Sequence, residues 1–266
     1  MQEKKSAGER IRDKKISLDA DKVKEFFDAR CQKELPYLYN YTNYQDNNPE
    51  LALERDRMEK LRIAPMLKVE REDLILDIGC GVGRWGDEFA AHLAGRGRYV
   101  GVDYSEGILQ LAKEHAEGRE NCEFYCASFQ ELCRALPQKY RQRVFDLILV
   151  NGVLMYVNDD DLRACLNNVK QLLSDGGLLY IKESVSYGKR LTLDQIYSEE
   201  LTHDYSAIYR SIAEYETLWG EYFPAGEGWE IVEHGEVWEN TLGNRRETTA
   251  YFWLVRRGGG IVRRRR

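Results

Sequence analysis

The segment LILDIGCGVGRW, residues 74–85, constrains the fold of this chain more than any other. It begins with a run of apolar residues that only Asp77 interrupts, which is typical of a strand buried inside a parallel sheet. Gly79, Gly81 and Gly83 follow at every second position, and glycines let a backbone turn tightly and approach a ligand closely. Such a turn after a first strand predicts an α/β fold that holds a nucleotide-like cofactor at the sheet edge. The alternative is a glycine-rich turn that binds nothing.

The spacing of these glycines excludes two common nucleotide sites. A dinucleotide fingerprint, G-x-G-x-x-G, would need its third glycine where this chain has Arg84. The phosphate-binding loop G-x-x-x-x-G-K-[ST] is absent, because neither Gly-Lys-Ser nor Gly-Lys-Thr occurs in the chain. Asp103 lies twenty residues after Gly83, at the end of a second apolar run, where an acid can accept hydrogen bonds from ribose hydroxyls. The acid and the glycines together favour a bound cofactor that carries a ribose.

Strand and helix patterns alternate along the rest of the chain. Helical patterns with a tyrosine-rich break precede the first strand, and a polar, tyrosine-rich insertion follows the fifth. The last two strands are joined by a loop too short for a crossover helix, so we expect them to pair as an antiparallel hairpin. The seven predicted strands are residues 74–78, 99–102, 122–126, 145–150, 178–182, 229–238 and 249–257.

These features resemble the class I S-adenosylmethionine-dependent methyltransferases, and among them bacterial small-molecule or sugar methyltransferases. The resemblance rests on the motif D-x-G-x-G-x-G at residues 77–83, on Asp103 and on the terminal hairpin, and it covers about residues 50–257. It implies a Rossmann-like α/β fold with a seven-stranded sheet, a C-terminal antiparallel hairpin, a helical N-terminal extension and an insertion after strand five.

The same resemblance divides the chain into segments. We expect one methyltransferase domain over residues 18–257, between a flexible N-terminus (1–17) and a disordered basic tail (258–266). Within the domain, residues 18–68 would form a helical cap and residues 183–220 a substrate-side insertion.

The resemblance implies S-adenosylmethionine as the cofactor and assigns roles around it. Gly79 and Gly81 would pass against its methionyl part, and Asp77 would orient their loop through backbone amides. Asp103 would bind the ribose hydroxyls, and Tyr104 would cover the adenine.

Four more residues are candidate cofactor contacts. Ser128, next to Phe129, fills the place where family members often carry an acid for the adenine amine. Asn151 directly follows strand four, where its amide would bond the cofactor. Arg55 would pair with the methionyl carboxylate, since a guanidinium matches a carboxylate with two parallel hydrogen bonds. The alternative for Arg55 is an ordinary surface arginine.

The loops after strands four and five would receive the methyl acceptor. Glu183 directly follows a rigid strand, and His203 belongs to the residue type that titrates nearest neutrality. Alternatively, Glu183 pairs with a surface lysine or arginine, His203 is a solvated loop residue, and the tyrosines of the insertion pack a lid helix. The candidate catalytic residues are Glu183, His203 and Tyr156, and the candidate substrate-binding residues are Arg190, Tyr205, Tyr209 and Arg210.

The predicted reaction is the transfer of a methyl group to an oxygen or nitrogen of a small polar metabolite or sugar. One alternative is a protein N-terminal α-amine methyltransferase, suggested by Gly83-Arg84, Cys126 and the residues Ile181-Lys182-Glu183. A second alternative is a regulatory protein that binds the cofactor without catalysis.

Composition narrows the partners and the location. The net charge of −6 argues against general nucleic-acid binding, although six arginines lie in the last eleven residues, which we interpret as a disordered tail. No apolar run approaches the roughly 20 residues that span a bilayer. Six cysteines without paired spacing favour a reducing cytoplasm. The acidic run 159–161 is interpreted as a helix start, so no metal site is expected. A monomer or homodimer is predicted.

Overall fold

The computed structural model describes residues 8–141, 144–238, 242 and 246–258. Its strands are β1 (Glu9–Arg12), β2 (Leu74–Ile78), β3 (Arg98–Asp103), β4 (Cys122–Cys126), β5 (Phe145–Asn151), β6 (Leu173–Ser186), β7 (Leu191–Ser198), β8 (His203–Tyr209), β9 (Trp229–Glu236) and β10 (Thr248–Arg257). Its α-helices are α1 (Ala20–Arg30), α2 (Pro49–Leu67), α3 (Arg84–Phe89), α4 (Glu106–His115), α5 (Leu132–Ala135), α6 (Gln138–Arg141), α7 (Asp159–Leu172) and α8 (Ile212–Tyr222).

Seven strands form one sheet in the order β4-β3-β2-β5-β6-β10-β9. The strands from β4 to β6 run parallel, and β10 pairs antiparallel with both β6 and β9. The predicted Rossmann-like sheet with its terminal hairpin is therefore confirmed. Strand β2 sits in the centre and is buried at every residue, as its apolar run indicates.

Helices cover both faces of this sheet. On one face, the core packs residues of α2 and α3, such as Ile63 and Trp85, against Tyr99 and Tyr180 of the strands. On the other face, α7 contributes the apolar stripe predicted from its spacing, and Trp219 of α8 joins it. Among the described residues, no helix is both long and apolar enough to cross a bilayer.

Several element boundaries differ from the sequence predictions. The apolar spacing predicts helices over residues 85–93 and 129–136, whereas α3 ends at Phe89 and the second helix is reduced to the single turn α5. Strand β6 begins at Leu173, but its pairing with β5 passes from Leu173 directly to Leu178, so residues 174–177 bulge out of the register, with Gly176 at a φ of +81°.

A second, three-stranded sheet has the order β1-β7-β8, and the sequence patterns did not predict it. The tyrosines of the insertion lie mostly on a β-hairpin rather than on a lid helix, and β1 adds to it from within the segment expected to be a flexible N-terminus. Helix α1 packs on this sheet through Phe26, whose ring lies 5.3 Å from that of Tyr205. Helix α1, strand β1 and the β7–β8 hairpin thus form one unit beside the main sheet, whereas α2 and α8 pack on the main sheet itself. The predicted basic tail lies almost entirely outside the described residues.

Candidate active site

A cleft of about 460 Å³ opens at the carboxyl ends of β2, β3, β5 and β6. Its walls come from the glycine-rich turn, the end of β3, the turn after β5, helix α1 and the tyrosine-rich loop before α2. Because parallel strands bring their carboxyl ends to one edge, residues far apart in sequence meet here.

The glycine-rich turn forms one wall and requires its glycines. Gly79, Gly81 and Gly83 have φ angles of +68°, +55° and +80°, which residues with a side chain rarely adopt. A Cβ atom on Gly79 would lie 2.3 Å from Cγ2 of Val153, and one on Gly81 would lie 2.6 Å from Cγ2 of Thr42. The turn therefore packs its backbone directly against two other cleft segments.

Asp103, at the end of β3, is tied to this turn. One carboxylate oxygen accepts a hydrogen bond from the Gly81 amide, and the other accepts one from the Ser105 amide, each at 3.0 Å. Burial raises the pKa of Asp103, while the amide donors act in the opposite direction. A carboxylate offers about four acceptor positions, so the carboxylate retains capacity for a ribose diol.

Asp77 acts differently from the expectation. Its carboxylate accepts a hydrogen bond from the Tyr99 hydroxyl at 2.6 Å, and no bond to a loop amide is found among the described residues. The pleat explains this, because Asp77 shares a sheet face with Ile75, the neighbour of Tyr99 in register. Burial raises the pKa of Asp77 to about 7. The residue lines the cleft but does not orient the loop in the predicted way.

Two other predicted cofactor contacts carry polar atoms without a partner. Both amide atoms of Asn151 and the hydroxyl of Tyr104 are buried and make no hydrogen bond in the described structure. Both residues line the cleft, together with Ser128 and Phe129. Because buried polar groups are nearly always hydrogen-bonded, these atoms mark places where a ligand's polar groups would fit.

A buried cluster of charges beneath the cleft was not foreseen. The guanidinium of Arg84 contacts Asp56 at 2.8 Å and Glu59 at 3.0 Å, and Lys182 contacts Glu59 at 2.6 Å. Burial favours the neutral acid, but Arg84 and Lys182 outweigh it and lower the pKa of Glu59 to about 2. Arg84, whose position breaks the dinucleotide fingerprint, therefore serves to pair buried acids of α2.

Arg55 lines the cleft and is not a free surface residue. Its guanidinium donates to the carbonyl of Leu242 at 2.6 and 3.0 Å and lies 5.5 Å from the centroid of the Trp238 ring. Its pairing with a methionyl carboxylate stays a prediction.

The opposite end of the cleft carries a cluster of tyrosine hydroxyls. The Tyr156 hydroxyl lies 2.9 Å from that of Tyr205 and 3.5 Å from that of Tyr44. Tyr209 bonds Tyr205 from behind at 3.5 Å and is not part of the cleft wall. Burial raises the pKa of Tyr44 and of Tyr156 well above the ordinary value, so both are neutral phenols. Tyr44 comes from the tyrosine-rich loop, where the sequence signal was the density of aromatic residues.

Glu183 is not a surface residue; it lines the cleft, and its role as a base stays a prediction. It is fully buried, and its carboxylate accepts hydrogen bonds from the amides of Val153, Leu154 and Met155 at 2.9, 2.8 and 3.2 Å. Burial raises the pKa of Glu183 to about 7, although the amide donors lower it.

The two arginines expected to bind the acceptor are also engaged elsewhere. Arg190 contacts Asp159 at 2.8 Å and Glu214 at 2.9 Å, and Arg210 contacts Asp159 at 2.6 Å. Both are buried and neither lines the cleft. His203 likewise lies off the cleft, with Nδ1 2.8 Å from its neighbour's carbonyl oxygen. The predictions for these three residues are wrong in placement: acids of other elements hold the two arginines, and His203 lies off the cleft on β8.

Comparisons with known proteins agree with this architecture. Residues 75–177 match the family model of a methyltransferase domain. Phosphoethanolamine N-methyltransferase 1 of Triticum aestivum is 24% identical over 135 residues, which are 50% of this chain and 26% of that protein. The chain thus spans less than a third of that relative's length.

Two solved structures share the fold. Phosphoethanolamine N-methyltransferase 1 of Haemonchus contortus, in complex with phosphoethanolamine and S-adenosylhomocysteine, has a TM-score of 0.67 at 19% identity and covers 91% of this chain and 49% of its own. The N-methyltransferase NodS of Bradyrhizobium japonicum, bound to S-adenosylhomocysteine, has a TM-score of 0.57 at 17% identity. The match covers 89% of this chain and 99% of NodS. With the sheet order and the glycine-rich turn, the matched domain indicates a class I S-adenosylmethionine-dependent methyltransferase.

Proposed function

We propose that this protein transfers the methyl group of S-adenosylmethionine to a nitrogen or oxygen of a small polar acceptor. The observation that carries the proposal is the cluster of Tyr44, Tyr156 and Tyr205 hydroxyls, which line the same cleft as the glycine-rich turn. Phenol hydroxyls both donate and accept hydrogen bonds, which suits a hydroxyl or amine, and the rings supply an apolar surface.

The cleft residues fit the cofactor. Asp103 has acceptor capacity for the ribose, and the unpartnered amide of Asn151 and hydroxyl of Tyr104 suit the polar groups of the cofactor. When bound, S-adenosylmethionine supplies an activated methyl group on a sulfonium. The protein then needs mainly to hold the acceptor in line and to exclude water.

A strong general base is not part of this proposal. Glu183 is occupied by three backbone amides, and the tyrosines that face the cleft are neutral. An acceptor that is a neutral amine would react by positioning alone, whereas a hydroxyl would need its proton removed. The phosphoethanolamine N-methyltransferases and NodS, to which this chain is similar, are N-methyltransferases by name, which favours nitrogen over oxygen.

The experiment is a transfer assay with S-adenosylmethionine labelled in its methyl group. The acceptor panel contains phosphoethanolamine, amino sugars, neutral sugars and a peptide with a free N-terminus. We expect label on small amines, and we expect Tyr156→Phe to lower the transfer rate about tenfold, which corresponds to one hydrogen bond of about 1.4 kcal/mol. Tyr197→Phe is the matched control, because Tyr197 is 60% exposed on β7.

Each other outcome supports a different function. Label on the peptide alone would support the N-terminal α-amine methyltransferase, and label on neutral sugars alone would support O-methylation. Cofactor binding without transfer to any acceptor of the panel would count against the proposed catalysis and for the regulatory alternative.

A further inference from the structure

The turn after β5, residues 153–157, is held from both sides by buried ionisable side chains. Its first three amides donate to the Glu183 carboxylate. Two of its carbonyl groups accept from the Arg210 guanidinium, that of Leu154 at 2.6 Å and that of Val157 at 2.7 Å. The turn is a short 3₁₀ helix (Leu154–Tyr156), and these two side chains satisfy backbone groups that its own hydrogen bonds leave open.

The two charged residues come from elements that are far apart in the chain. Glu183 lies on β6, and Arg210 directly follows β8 in the second sheet. Both side chains have a relative exposure of 0%. Arg210 also contacts Asp159 at the start of α7, so the main sheet, the second sheet and α7 all meet at this turn. Hydrogen bonds to ionised groups are about twice as strong as neutral ones, and a buried amide that loses its acceptor is costly.

The turn carries residues that face both ends of the cleft. Tyr156 lies on it, with its hydroxyl 2.9 Å from that of Tyr205 and its ring 5.3 Å from that of Phe27. At the other end, the side chain of Val153 covers the backbone of Gly79, close enough to exclude a Cβ atom there. A shift of this turn would therefore move the tyrosine cluster and the glycine-rich turn together.

We propose that Glu183 and Arg210 are positioning residues that hold this turn so that Tyr156 stays beside Tyr205 at the acceptor end of the cleft. This assignment rests on the proposed function only for the role of Tyr156 toward the acceptor. The hydrogen bonds from Glu183 and Arg210 to the turn, which we call the clamp, form in the free protein. They can therefore be tested without an acceptor.

The first test is amide hydrogen exchange on the full chain. In Glu183→Ala, we expect the amides of Val153, Leu154 and Met155 to exchange at least tenfold faster, while those of β5 keep their wild-type rates. Glu183→Gln retains one carbonyl acceptor and should be intermediate. Glu233→Gln, on the exposed face of β9, is the matched control. Unchanged exchange at the turn, or equal acceleration throughout the chain, would overturn the clamp.

The second test asks whether the clamp positions Tyr156. In a double-mutant cycle, the loss in urea midpoint caused by Tyr156→Phe should shrink by at least half in the Glu183→Ala background, because the hydroxyl contact depends on the turn. Additive losses would refute positioning even if exchange were accelerated. If Glu183→Ala does not fold, the same cycle with Glu183→Gln decides the question. Neither amide exchange nor the urea cycle depends on methyl transfer. The positioning proposal and the proposed function can therefore fail separately.

Discussion

Replacing Asn151 by leucine should make the free protein more stable and its cofactor complex weaker. Both amide atoms of Asn151 are buried at the end of β5 without a hydrogen-bond partner. Burying such a group costs about 1–3 kcal/mol in proteins, and leucine of similar size removes that cost. We therefore expect the free energy of unfolding to rise by about 1 kcal/mol, or the melting temperature by roughly 2–4 °C.

The opposite effect is expected on binding. If the Asn151 amide bonds the cofactor, its loss should weaken S-adenosylmethionine binding about tenfold, which is about 1.4 kcal/mol. Ligand stabilisation depends on the logarithm of affinity, so saturating cofactor should then cancel the variant's advantage in the unfolding assay. The two measurements are calorimetric binding and urea unfolding with and without S-adenosylmethionine.

Asn121→Leu is the matched control for this experiment. The side chain of Asn121 already donates to the carbonyls of Ala90 and Leu93, at 2.6 and 3.0 Å, away from the cleft. Its replacement should lower stability by about 1–3 kcal/mol and leave cofactor affinity unchanged. An Asn151→Leu variant that behaves in the same way would show that the amide is a structural group, and the cofactor assignment would be wrong.

Three other predictions concern charged or titratable residues. Asp103→Ala should weaken S-adenosylmethionine binding tenfold or more in calorimetry, and an unchanged dissociation constant would refute its ribose role. His203→Ala should leave that constant unchanged, because His203 does not line the cleft. Burial opposes ionisation of Asp159, but hydrogen bonds from Arg190 and Arg210 lower its pKa to about 2. Asp159→Asn should therefore cost about 2 kcal/mol of unfolding free energy at pH 7, a difference that shrinks as pH falls from about 4 towards 2, and a pH-independent cost would contradict this pairing.

Much of the fold was predictable because its signals are local. An apolar run, a glycine at every second position and a helical stripe each act within a few residues of the chain, so the main sheet and its hairpin could be derived. The second sheet could not, since β1 pairs with β7 across about 180 residues and its four residues carry no clear alternation.

The sequence by itself determined the glycine-rich turn, the acid at Asp103 and hence the kind of cofactor, because backbone geometry and local spacing specify that site. Only the tertiary structure decided which charged side chains face the cleft. Arg210 donates a hydrogen bond to Asp159, which lies fifty-one residues earlier in the chain. Glu183 accepts one from the turn after β5, thirty residues earlier. A buried charge needs a partner, and the fold rather than the order of residues along the chain selects that partner, so residues predicted to be catalytic or substrate-binding pair with distant parts of the protein.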